Sequence, residues 1–152
     1  GGIFGAQIIG IFDLKKNFEL AFFIPLITAM GGNVGVQSSA IIVQGIANDS
    51  LKLESIFQKI IKELGIGIIN GLICSIIILI MIIAIGYNLK LSLAVSISLL
   101  AVIIFAALFG TITPLTLKKY NIDPALATGP FITTANDVLG LFIYFWIGQS
   151  II

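Results

Sequence analysis

One acidic residue stands apart in this chain. Six of its seven Asp and Glu residues fall in short charged clusters, whereas Asp137 lies inside a long apolar run, residues 124–152. A carboxylate at such depth in hydrocarbon is costly unless it faces water, a cation or a partner, and membrane acids of this kind mark substrate or ion paths. No Lys is placed at a similar depth to pair with it. Asp137 is therefore read as protonated, hydrated or cation-bound, the alternative being a neutral packing carboxyl. Its neighbours at helical spacing, Pro130, Thr133, Gly140 and Tyr144, make a small, polar stripe that either lines a watery path or packs on another helix. Pro130 would also leave the carbonyl of Leu126 without its helical donor, which makes either a cation ligand or a tolerated kink.

A second constellation lies between Pro25 and Ser39. Gly31, Gly32 and Gly35 crowd into five residues, and Asn33, Gln37, Ser38 and Ser39 follow or interleave. Glycine costs about 1 kcal/mol relative to Ala inside a helix, so three of them imply close backbone approach or exposed carbonyls. Two readings stand: a Gly31-xxx-Gly35 packing face, or a polar lining opposite Asp137. Pro25-Leu-Ile-Thr28 also echoes Pro130-Phe-Ile-Thr133, each followed within eight residues by a polar group, Asn33 or Asp137. The available donors are all oxygens, which suit hard cations such as Mg²⁺, Ca²⁺ or Mn²⁺. With no His and a single Cys74, a dedicated zinc or copper path is disfavoured, as is Ser–His or Cys–His catalysis, and no enzyme activity is expected.

The elements that must hold these residues follow from composition. The 152 residues are 59% hydrophobic and 10% charged, against about a quarter charged in soluble domains. A net charge of +1 offers no basic surface for nucleic acid. Charged clusters separate apolar runs at 20–47, 64–89, 91–117 and 124–152, each beyond the roughly 20 residues that cross a bilayer as helix. The opening run, 1–12, is too short and reads as the end of a first helix or as a half-helix. Residues 50–63 carry Ile56, Phe57, Ile60, Ile61 and Leu64 on one face and Glu54, Gln58, Lys59, Lys62 and Glu63 on the other. This predicts an amphipathic helix at the membrane surface, capped by Asp49 or Ser50 and running into the next span. Lys52, Lys59, Lys62, Lys118 and Lys119 outnumber Lys15, Lys16 and Lys90 on the alternate connections, which predicts that the first set is cytoplasmic.

The stretches from Pro25 to Ser38 and from Asp123 to Gly140 resemble the transmembrane domain of the MgtE-type magnesium channel family. The resemblance implies an all-α, five-helix integral membrane bundle in the plasma membrane, with residues 1–152 as one ion-permeation domain and its first helix cut short. It further implies a homodimer in the lipid bilayer with a Mg²⁺ pore at the dimer interface. There Asp137 and its symmetry mate hold a hydrated ion, and Asn33 lies near the pore. The expected metal site comprises Asp137, Asn33, Thr133, Gly129 and Gly32, with Mg²⁺ as transported ion and Mn²⁺, Co²⁺ or Ca²⁺ as other possible cargo. Some members carry a pore-lining Asn one residue before the last-helix Pro, where this chain has Gly129. Bacterial members usually carry cytosolic magnesium-sensing domains, to which no stretch of these residues corresponds. A competing reading is an H⁺- or Na⁺-coupled secondary transporter with Asp137 as the coupling carboxyl.

Overall fold

Hydrocarbon supplies no hydrogen-bonding partners, so apolar runs of this length must close their backbone bonds within helices. The computed structural model describes residues 2–12, 18–48 and 56–152. They form α1 (Gly2–Ile11), α2 (Phe18–Ala21), α3 (Ile24–Ala47), α4 (Ile56–Ile85), α5 (Leu89–Lys119), a 3-10 turn (Pro124–Ala127) and α6 (Pro130–Ile151). Among the described residues, α3, α4, α5 and α6 are long and apolar enough to cross a membrane. The 22 residues of α6 span roughly 33 Å and the 31 of α5 roughly 46 Å. The 10 residues of α1 cover only about 15 Å.

Local chemistry sets the joints. Asn88 caps α5 by accepting from the Leu91 N–H at 2.9 Å. At the other end Asn121, with φ 56°, closes α5: the N–H of Ile122 donates to the Leu117 carbonyl at 2.9 Å and that of Asn121 to Lys118 at 3.1 Å. This pairing is a Schellman motif built on Asn rather than Gly. Asp123 caps the 3-10 turn through the Ala125 N–H, and the Ser39 hydroxyl donates to the Ala127 carbonyl, tying that turn to α3.

The central helix is α5, which packs against α3, α4 and α6. In its apolar stretch 61% of residues are buried, against 17% in α4, so α4 is peripheral and turns its isoleucines outward. The core gathers Leu20, Ile27, Val95, Leu99, Val102, Ile103 and Phe145. Buried Tyr144 donates from its hydroxyl to the Leu20 carbonyl at 2.8 Å, which anchors α2 beside α6.

Three expectations change here. Residues 56–63 of the amphipathic segment run into the span as one continuous α4, as expected, but their burial does not follow the expected faces. Ile56, Phe57 and Ile61 are exposed while Glu63 is buried, because Glu63 shares a four-residue spacing with Gly67, Gly71 and Ser75, the stripe that α4 buries. The proposed caps Asp49 and Ser50, with Lys52 and Glu54, lie outside the described residues, as do Asp13, Lys15 and Lys16. The last helix begins at Pro130 rather than 124, so the proline occupies a first-turn position where its missing N–H removes no helical bond. It neither kinks a helix nor strips a donor from one.

The glycine pairs face inward within the chain. A methyl added at Gly31 would lie 2.9 Å from Val102, one at Gly67 2.9 Å from Ala107, and one at Gly71 2.7 Å from Leu100. At Gly110 a methyl would run into the Gly35 carbonyl, and at Gly35 into the Asn136 side chain. Gly65, also inside α4, has open space where a Cβ would go. Gly110→Ala should therefore destabilise the protein by about 1–3 kcal/mol through overpacking. Gly65→Ala should be neutral or stabilising by up to about 1 kcal/mol through helix propensity. Thermal unfolding in detergent checks the pair, and equal effects at both sites would contradict the packing described.

Candidate metal path

The helices α3 and α6 run antiparallel, with Gly32 beside Thr133 and Asp137, Gly35 beside Ile132 and Asn136, and Ser39 beside Ala127. A groove of about 910 Å³ opens between them. From α3 it takes Pro25, Thr28, Ala29, Gly32, Asn33, Val36 and Gln37. From α6 and its cap it takes Gly129, Pro130, Thr133, Thr134 and Asp137. All five residues singled out from the sequence, Asp137, Asn33, Thr133, Gly129 and Gly32, border this one space. Asn33 and Gln37 are exposed along it, and Asp137 is half-buried.

The polar groups differ in what they have left to offer. Thr28 donates its hydroxyl to the Ile24 carbonyl at 3.0 Å, and Thr133 donates to the Gly129 carbonyl at 3.1 Å. Each hydroxyl keeps lone pairs for an incoming donor such as a metal-bound water. The Gly129 carbonyl also accepts the Thr133 N–H at 3.0 Å. Both of its lone pairs are thus engaged, and Gly129 serves the groove through its backbone, φ 59° and ψ −126°, a conformation essentially restricted to glycine. Gly32 forms the wall facing the acid: a Cβ there would lie 3.8 Å from Oδ1 of Asp137. The carboxylate accepts no hydrogen bond from any described residue. Among the described residues no group of three His, Cys, Asp or Glu side chains could hold a metal, and Asp137 is the one carboxylate among the described residues that line the groove.

Both polar stripes read from the sequence divide. On α6, Pro130, Thr133 and Asp137 face the groove, while Gly140 packs against Val102 and Tyr144 is spent on Leu20. On α3, Gly32, Asn33 and Gln37 face it, while Gly31, Gly35, Ser38 and Ser39 are buried. The Pro-x-x-Thr echo is structural. Both prolines stand in the first turn of a helix, and both threonines bond back four residues. Their helices being antiparallel, the two motifs flank the groove from opposite ends.

Sequence reasoning passed over Asn136. It is 1% exposed, lies against Gly35, and among the described residues neither its nitrogen nor its oxygen has a hydrogen-bonding partner. The only signal available was its place beside Asp137, which by helical geometry turns it about 100° away from the groove. A buried, unpaired amide costs roughly 1–3 kcal/mol. Asn136→Leu, which keeps the branch at Cγ and removes the polar atoms, should leave the thermal midpoint unchanged or raise it. A fall of several degrees would show that the amide is partnered.

A family model described as a divalent cation transporter, MgtE, matches residues 24–147. The magnesium transporter MgtE of Bacillus subtilis is 39% identical over 153 residues, covering 99% of this chain and 34% of that protein. The magnesium transporter MgtE of Thermus thermophilus is 34% identical over 139 residues, 91% of this chain and 31% of its own length. That of Enterococcus faecalis is 36% identical over 126 residues, 83% and 28% respectively. The chain thus spans about a third of the length of the curated relatives it matches.

Proposed function

The chain belongs to the MgtE family of divalent cation transporters, and from that premise we propose that it passes hydrated divalent cations, Mg²⁺ foremost, across the cell membrane beside Asp137. The observation that carries the reading is the convergence of one half-buried carboxylate, an exposed amide and threonine hydroxyls on one groove between two membrane-spanning helices. This donor set suits Mg²⁺, which gives up its waters reluctantly and is usually held by one or two carboxylates with waters kept. Asp137 would supply charge, and Asn33, Gln37 and Thr133 would meet the hydration shell. The carboxylate-to-metal distance is then longer than the roughly 2.1 Å of direct ligation.

One carboxylate neutralises half of a divalent charge, and hydrocarbon penalises the remainder. A second copy facing the first across a two-fold axis would bring the count to two and close the groove into a pore. The glycine pairs do not argue for this dimer, since they are consumed inside the protomer. Its support is the open side of the groove and the charge balance. In this assembly residues 1–152 act as one permeation domain, with α1, packed on α6, as part of a fifth membrane helix.

Asp137→Asn keeps the shape and removes the charge. It should leave the dimer intact and lower Mg²⁺ flux into vesicles by more than about tenfold, the loss of a charge-assisted contact. Wild-type flux in this variant would refute the assignment, and light scattering that finds only monomer in the active protein would refute the axis. Steady accumulation against the Mg²⁺ gradient when H⁺ or Na⁺ gradients are imposed would favour the coupled transporter instead.

Asn33 is exposed and lines the groove. Asn33→Leu should therefore lower flux while leaving the thermal midpoint within a few degrees of wild type. The opposite pattern, a lower midpoint and unchanged flux per folded molecule, would make Asn33 a packing residue.

A further inference from the structure

A second groove, of about 510 Å³, runs along the outer face of α5. Its walls are Phe105, Leu108, Phe109, Ile112 and Leu117 of α5 with Phe131 of α6. Its two hydroxyls are internally satisfied: Thr113 donates to the Phe109 carbonyl at 2.7 Å and Thr116 to that of Ile112 at 2.9 Å. The surface it presents is therefore apolar throughout. From Phe105 to Leu117 it extends roughly 18 Å along the helix, close to half of the roughly 30 Å hydrocarbon core. It matches one leaflet.

The helix face that lines the groove continues into charge. Lys119 follows Ile112 by seven residues and Thr116 by three, so it stands on the same face. Tyr120, 68% exposed, stands beside it at the level where aromatic side chains border membrane and water. Lys118 points to the opposite side of α5. Among the described residues neither lysine forms an ion pair. This end of the bundle also carries Lys59, near the start of α4, and is the end that the lysine bias assigns to the cytoplasm, where anionic headgroups attract cationic side chains.

We propose that this groove binds one anionic phospholipid, an acyl chain lying along Phe105, Phe109, Ile112 and Phe131 and the headgroup phosphate on Lys119, with the Tyr120 hydroxyl as a second donor. The site is separate from the ion path and does not depend on it.

The test uses the full chain in detergent, titrated with phosphatidylglycerol or phosphatidylcholine and read by native mass spectrometry. Wild type should retain phosphatidylglycerol about tenfold better. Lys119→Gln should abolish that preference, whereas Lys118→Gln, the same change of charge on the other face, should keep most of it. Ile112→Trp, which fills the groove at a position already exposed, should weaken retention of both lipids. Equal retention of the two lipids by wild type, or equal effects of the two lysine variants, would reduce the site to unspecific surface charge and overturn the proposal. So would efficient cross-linking of Thr116→Cys between copies in a Cys74→Ser background, which would make the groove a protein interface.

Discussion

The close passage of α3 over α5 at Gly35 and Gly110 is the contact on which the rest of the bundle depends. There is no room for a methyl group at Gly110, because the Gly35 carbonyl occupies its place. Association within a bilayer cannot draw on the hydrophobic effect, since lipid tails are as apolar as leucine, and close backbone approach takes over that role. With α3 held against α5, α6 can touch both: Asn136 fills the space beside Gly35 and Gly140 meets Val102. The groove opens beside that tight point, its α3 wall running from Pro25 to Gln37.

Within the groove, polar atoms are divided between structure and solvent. Threonine hydroxyls return to backbone carbonyls one turn earlier, and Ser39 secures the 3-10 turn that precedes α6. What remains toward the open side is the Asn33 and Gln37 amides and the Asp137 carboxylate. These are groups able to meet a hydrated cation without giving up a bond that the fold requires. Gly129 contributes differently. Its backbone conformation turns the chain into α6 at Pro130 and thereby sets Asp137 two turns inside the helix, nearer its centre than its start.

The outer surface follows another logic. In the peripheral α4, isoleucines face outward and the small or polar residues Glu63, Gly67, Gly71 and Ser75 face inward. That reverses the arrangement in water, where apolar side chains seek the interior. In hydrocarbon the isoleucines lose nothing by exposure, and small residues gain contact by lying between helices. The reading of residues 50–63 as a surface helix assumed that its charged face marked the outside. Glu63 lies instead on the stripe that packs.

The sequence by itself determined the class of the protein and the apolar runs, and it singled out five residues that border the groove. Length and hydrophobicity are sufficient for spans because the bilayer imposes a thickness, and Asp137 was legible because an acid in an apolar run has few bland explanations. The family signature added the pairing of Asn33 with Asp137, and both border one groove. Only the tertiary structure decided which residues of each polar stripe face that groove. Helical spacing gives the direction of a side chain relative to its own axis, not what stands opposite it. Thus Asn33 and Gly35, two residues apart, separate into groove and packing contact, and Asn136 and Asp137, adjacent in the chain, point one into the protein and one toward the groove. The rotation of α3 and α6 about their axes was set by α5, through contacts with Val102 and Gly110 that lie far away in the chain and carry no local mark.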